Sequence, residues 1–154
     1  MLLDRIRALL TTENIRFREV HHEPTRTSED SARARGEHLR VGGKALLIKV
    51  DSTFRLFVLS AERKLDSAAI RQYFGAKKAR FATPEELMEL TGLVPGSVPP
   101  FGEPILPFPL YVDQSVFEND RIAFNAGSLT DSIVMPVEDY RRLANPVSFR
   151  FSAS

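Results

Sequence analysis

Whatever chemistry this chain performs, it performs without sulfur nucleophiles, because none of its 154 residues is cysteine. That removes a thiol nucleophile, disulfides, cysteine-ligated zinc and iron–sulfur clusters together. The three histidines, His21, His22 and His38, fall in no HExxH or comparable ligand spacing, so no metal is expected. Neither a GxSxG elbow nor a Ser-His-Asp pattern is legible. Cations, small hydroxyls and backbone amides remain. Arg33, Arg35 and Arg40 form one cationic stretch, and Arg71, Lys77, Lys78 and Arg80 another. Such stretches draw phosphates through charge and counterion release; the alternative is a set of solvated helix faces. A polar run, Asn125, Gly127, Ser128, Asp131 and Ser132, has the residue types of a turn.

The elements that must position these groups follow from hydrophobic spacing. Leu2, Leu3, Ile6, Leu9 and Leu10 mark an amphipathic helix over 2–13. Arg16–His21 reads as a short strand and 22–27, with Pro24, as a loop. Thr27 or Ser28 caps a helix that stops near Gly36. Lys44–Val50 and Phe54–Ser60 form a hairpin across Asp51-Ser52-Thr53. A helix over 66–74 runs from Asp66 to Gly75, a short strand over 79–82 follows, and Thr83-Pro84-Glu85-Glu86 opens a helix ending near Gly92. The stretch Pro95–Pro109 holds six of the ten prolines; because apolar residues continue through it, it reads as a rigid loop and not a linker. Strands over 110–113, 121–125 and 132–136, a last helix from Val137 and a final strand in the tail complete the chain. The expected fold is a single mixed α/β domain over 1–154, with one central, largely antiparallel or mixed β-sheet flanked by helices.

Composition is that of an ordinary globular protein, with 43% hydrophobic and 27% charged residues and a net charge of +1. No apolar run approaches membrane-spanning length, and MLLDRIRALL lacks the organisation of a signal peptide, so no membrane is expected and a cytoplasmic location is.

Several stretches carry a resemblance by their order. They are His22-x-Pro24-x-x-Thr27-Ser28; Gly43-Lys44 opening a strand; Ala82-Thr83-Pro84-Glu85-Glu86; Thr91-Gly92 through Gly96-Ser97-Val98-Pro99-Pro100-Phe101-Gly102; Tyr111-Val112-Asp113; and Asn125-Ala126-Gly127-Ser128. Together, from about residue 15 to 143, they resemble the YbaK/prolyl-tRNA-synthetase-associated family of aminoacyl-tRNA deacylases. The resemblance implies hydrolysis of the ester joining a wrongly attached amino acid to the terminal adenosine of tRNA, most often tRNA for proline. It also implies tRNA as partner, with a synthetase as a further one, and requires no cofactor. Alternatives are a noncatalytic tRNA- or synthetase-binding module of the same fold, and a hydrolase of another acyl ester.

Such hydrolysis asks a protein to position a water, stabilise an oxyanion and exclude the correct product. By the resemblance, Lys44 faces the pocket, binding the terminal phosphate or ribose or polarising the ester. Gly96 gives the following loop its backbone freedom. Since Pro99 and Pro100 have no N–H, Ser97 and Val98 are the candidate donors to water or oxyanion. Many relatives carry glycine where Ser97 stands, so its hydroxyl is expected to narrow the pocket or bond a polar substrate. Relatives also often carry threonine or asparagine in place of Ala45. His22, Thr27 and Pro100 are expected near the substrate, with His22 an orienting or an acid–base group and Thr27 equally a helix cap. Asn125, Gly127, Ser128, Asp131 and Ser132 are expected to border the aminoacyl group, where polar side chains suit serine or threonine, with alanine an alternative. Arg33, Arg35 and Arg40 are expected to meet acceptor-stem phosphates.

Overall fold

The computed structural model describes residues 2–154. In chain order its elements are α1 (Leu2–Thr12), β1 (Arg18–His21), α2 (Ser28–Arg35), β2 (Gly43–Val50), β3 (Thr53–Ser60), β4 (Lys64–Leu65), α3 (Ser67–Phe74), β5 (Ala79–Phe81), α4 (Pro84–Thr91), β6 (Leu110–Val112), β7 (Arg121–Asn125), β8 (Asp131–Pro136), α5 (Val137–Ala144), β9 (Val147–Ser148) and β10 (Ser152–Ala153). Local chemistry sets the helix ends. Thr27, Asp66 and Thr83 each accept a backbone N–H at a helix start, and Gly36, Gly75 and Gly92 close the same helices in the left-handed conformation.

The β2–β3 hairpin is the spine. Its two faces feed two cores, which is why both strands read as near-continuous apolar runs. Leu47, Leu56 and Val58 pack with Ile6 and Leu10 of α1, Ile122 and Phe124 of β7, and Ile133 and Met135 of β8. Ile48, Val50, Phe57 and Leu59 pack with Ile70 of α3, Tyr111 and Phe151. Phe57 stacks on Tyr111 with centroids 5.2 Å apart and meets Phe151 edge-on at 5.3 Å. The tail that delivers Phe151 is fastened by Asp113, whose carboxylate accepts the N–H of Ser115 (3.0 Å), the N–H of Phe151 (2.6 Å) and the hydroxyl of Ser152 (2.7 Å). Burial alone would push that carboxyl up, but the bonds prevail and hold it below its usual range.

The mixed α/β fold and its central mixed sheet are as expected, but not every strand joins that sheet. A five-stranded mixed sheet has the order β5-β2-β3-β6-β9, and a three-stranded sheet has the order β1-β8-β7. A small pair, β4 and β10, stands apart. The two larger sheets touch through a parallel bridge between Gly42 and Ala123. Apolar alternation identifies strands but does not name their partners, so this split is not written in the local pattern. One consequence positions the site. Along β2, Ile48, Lys49 and Val50 pair with β5, and Leu47 O accepts the N–H of Ala82 at 2.9 Å. Gly43 to Leu46 pair only with β3, so β2 keeps an open edge there, between the β7 bridge and the end of β5.

At the start of α4, Glu86 closes a capping box with Thr83 and accepts two bonds from Arg80, at 2.8 and 3.0 Å. The Arg80 bonds, then the Thr83 N–H, hold its carboxyl down to about 2 against an ordinary 4.5. A depressed acid stabilises the fold above its unfolded value, and that contribution is lost as pH falls through the folded one. Chemical denaturation should therefore find Glu86→Gln less stable than the parent at neutral pH, with the gap closing between about 4.5 and about 2. A gap independent of pH would disprove the assignment.

Candidate functional site

The open edge of β2 borders a cavity of about 440 Å³. Thr25, Thr27 and Ser31 line it from the β1–α2 loop and α2; Gly43 to Leu46 from β2; Gly96 and Val98 from the proline-rich loop; and Asn125 from the end of β7. Four distant parts of the chain thus meet in one place.

Arg35 holds them there. The sequence placed it on an RNA-facing surface, but its side chain is buried at 7% exposure and borders the cavity. Ser31, Ala32 and Arg35 are the buried residues of α2, and their i, i+1, i+4 spacing sets them on one helix face. Arg35 Nε donates to Ser132 Oγ (2.9 Å) and Nη2 to Asn125 Oδ1 (3.0 Å). Burial pushes the guanidinium down to about 10, with Glu37 opposing, so it stays charged at neutral pH. Glu37 itself pairs with Arg18 (2.9 Å) and Arg121 (2.8 Å).

Because arginine only donates, Asn125 must present its carbonyl to Arg35 and its amide to the other side. There Asn125 Nδ2 donates to Gly96 O at 2.7 Å. Gly96, at φ 88°, is the third residue of the Val94-Pro95-Gly96-Ser97 turn, closed by Ser97 N–H to Val94 O at 3.1 Å. Proline second and glycine third with positive φ is a type II arrangement. The Ser97 hydroxyl also donates to Val94 O (2.7 Å) and accepts the Val94 N–H (3.2 Å). Both polar groups expected from Ser97 are thus spent inside the turn, and this corrects its expected role as donor and substrate contact. Its carbonyl accepts the Gly127 N–H at 3.0 Å. A trans peptide is planar, so fixing that carbonyl points the Val98 N–H the opposite way. Val98 borders the cavity, and its N–H has no protein acceptor among the described residues.

The other expected residues divide. Lys44 lines the cavity, half-buried, with no ion-pair partner among the described residues. Thr27 lines it while accepting the Asp30 N–H to cap α2. His22 stands behind the site, bonding Ser132 Oγ through Nε2 (2.8 Å) and Glu23 O through Nδ1 (2.9 Å). Ser132 is buried as the hub between His22, Arg35 and Asn125. Asp131 and Ser128 do not line the cavity. Asp131 accepts from His21 (2.8 Å), Ser128 (2.7 Å) and Thr130 (3.0 Å), and this closes the β7–β8 turn. His21, then Ser128, holds the Asp131 carboxyl below its usual range. Gly127 aims the proline-rich loop without lining the cavity. Pro100 is buried, its carbonyl accepting the Tyr140 hydroxyl at 2.6 Å. Arg33 is exposed and paired with Asp30 at 2.6 Å, and Arg40 is exposed without an ion pair. Sequence reasoning missed Thr25, Arg26, Ser31 and Leu129, which also line the cavity. Arg26 was within reach, as a cation between the matched Pro24 and Thr27; nothing local marks the other three.

A model of the aminoacyl-tRNA editing domain matches residues 22–143, which contain every residue lining the cavity. The chain belongs to the aminoacyl-tRNA editing domain family. Among the relatives, the multifunctional Ser/Thr-tRNA deacylase ProXp-y of Escherichia coli (strain K12) is 40% identical over 157 residues, covering 97% of this chain and 93% of that protein. The proline–tRNA ligase of Shouchella clausii (strain KSM-K16) is 33% identical over 101 residues, which cover 66% of this chain and 18% of the ligase. A crystal structure described as a candidate trans-editing enzyme for prolyl tRNA synthetase superposes with a TM-score of 0.83 at 25% identity, covering 99% of this chain and 97% of that one. In this editing domain, then, the mixed α/β fold presents a lysine, a rigid turn and a buried cation to one cavity.

Replacing Asn125 by alanine should leave Gly96 O and Arg35 Nη2 without this partner. The loss should be about 1–3 kcal/mol, since buried polar groups are left unpaired. It would be read as a lower urea midpoint with an unchanged denaturant slope; an unchanged midpoint would show that the node carries no structural weight.

Proposed function

We propose that this editing domain acts in trans as a deacylase, hydrolysing the ester between serine or threonine and the terminal adenosine of a mischarged tRNA. The observation that carries the reading is the convergence of Lys44, Gly96, Val98 and Asn125 on one cavity. Water adds to the ester carbonyl, negative charge gathers on the carbonyl oxygen, and collapse expels the ribose oxygen. The products are the free amino acid and a tRNA with its terminal hydroxyl restored. The Val98 N–H is the donor suited to the developing oxyanion, held by groups that need not reorganise during reaction. Lys44 supplies a cation for the ester oxygen or the adjoining phosphate. Arg35, through Asn125, positions the Gly96 turn.

Serine and threonine are favoured over alanine by the name of the 40% identical deacylase and by one pair of side chains. Thr25 Oγ1 and Ser31 Oγ lie 2.7 Å apart, both buried and both lining the cavity. Two hydroxyls sharing one bond retain one O–H to give, and a site that bonds a hydroxyl rejects substrates lacking it. The resemblance to part of a proline–tRNA ligase supports tRNA for proline as carrier and a synthetase as partner. No helix among the described residues is long and apolar enough to cross a membrane, and we place the activity in the cytoplasm, where tRNA is charged.

The test is a deacylation panel of seryl-, threonyl-, alanyl-, cysteinyl- and prolyl-tRNA. Loss of the seryl or threonyl ester with prolyl-tRNA for proline spared is expected; inertness toward all five would leave a noncatalytic binding module. Lys44→Ala should keep the parent's thermal midpoint, because no ion pair is broken, and should lose about 100-fold or more in kcat. Full turnover by the folded variant would remove Lys44 from the mechanism.

A further inference from the structure

The second cationic stretch of the sequence is not absorbed by this site, and the structure gathers it into a cleft of its own. Lys49, Arg71, Lys77, Lys78 and Arg80 surround about 460 Å³ at the far end of β2, with Asp51 the acid among them. Asp51 is turned inward. At a left-handed φ of 52° in the β2–β3 turn, it accepts the backbone N–H groups of Lys77 and Lys78, both at 3.0 Å, and gives its own N–H to Lys78 O at 2.8 Å. Five backbone and side-chain atoms thus fix the loop that carries both lysines, while their side chains stand in solvent. Arg80 is occupied by Glu86. Lys49, Lys77, Lys78 and Arg71 have no carboxylate within ion-pair distance among the described residues; Arg71 touches only the Ser67 hydroxyl, at 3.3 Å. Counting Asp51 and Glu86 against the cations leaves a surplus of three positive charges, in a chain whose net charge is +1.

We infer that this cleft is a second docking surface for the substrate, taking the phosphate backbone of the RNA away from its aminoacylated end. The inference rests on the tRNA reading of the first cavity. Lys44 and Lys49 are five residues apart on one strand, so the cleft begins about 16 Å from the pocket at the usual strand rise. That is a distance which a polynucleotide spans and a single nucleotide does not. The cations are spread along an open rim and do not converge on a buried point, as suits a chain of phosphates and not one anion. Backbone contacts of this kind add affinity without sequence information. The cleft therefore strengthens binding of every aminoacylated tRNA alike and leaves the choice of amino acid to the first cavity.

The experiment compares the parent chain with Lys77→Glu/Lys78→Glu, measuring binding of uncharged tRNA by fluorescence anisotropy across a salt titration. The variant should bind about tenfold or more weakly at low salt, and the slope of log affinity against log salt should fall by about 1–2. The milder Lys77→Gln/Lys78→Gln should lie between. Parent and variants should cleave seryl-adenosine, which lacks the RNA body, at the same rate, and in the full substrates KM should rise equally for seryl- and threonyl-tRNA with kcat unchanged. Affinity and salt slope equal to the parent's would overturn the inference even if deacylation proceeds normally. Absent turnover by the parent, with tRNA binding still dependent on Lys77 and Lys78, would instead reject the deacylase reading and keep the docking surface.

Discussion

A charged guanidinium held out of water is the constraint on which the site depends. Keeping Arg35 protonated in its buried position costs about 3 kcal/mol, from the displacement of its titration to about 10 from 12.5. Such an expense is tolerated where the charge organises its surroundings. Arginine has no acceptor, so it dictates the orientation of the Asn125 amide, the Asn125 amide dictates the Gly96 carbonyl, and the Ser97 carbonyl is met in turn by Gly127. The proline-rich loop is therefore oriented by a chain of obligatory donors and acceptors beginning on α2, an element that shares no sheet with it.

The fold divides this work between rigidity and access. Two apolar cores clamp the β2–β3 hairpin from both faces, so the strand bearing Lys44 cannot tilt without disturbing either. The same strand is left unpaired on one side over four residues, and access comes from that omission. Stability and opening are thus assigned to perpendicular directions of one strand, the packing above and below it and the missing neighbour beside it.

Much of this was legible beforehand because local chemistry is local. Thr27, Asp66 and Thr83 announce helix starts by side chains that reach only three residues on, and the β2–β3 runs announce strands buried on both faces. The editing family was legible from ordered short motifs, and Lys44, Gly96, Val98 and Asn125 do lie together. What was not legible depends on partners remote in sequence. Arg35 looked like a surface cation because α2 buries serine, alanine and arginine, so its inner face carries no apolar stripe for periodicity to find. Ser97 and Asp131 looked available because their residue types suit substrate contact, yet each is consumed by a turn whose closure no residue type declares. Pro100 follows Val98 closely enough to suggest a pocket residue, yet its carbonyl receives the Tyr140 hydroxyl from 40 positions away.

The gap beside β2 has one more implication. Its lower limit is the bridge from Gly42 to Ala123, and its upper limit is the single bond from Ala82 to Leu47 where β5 lets go. The aperture is therefore a matter of strand register, set like a sash window by how far one sliding panel travels along its frame. A lineage that lengthened β5 would narrow the opening, and one that shortened it would widen it, without altering any residue inside. The mouth of the cavity in such a scaffold can change through the pairing of an edge strand while the residues lining it stay as they are.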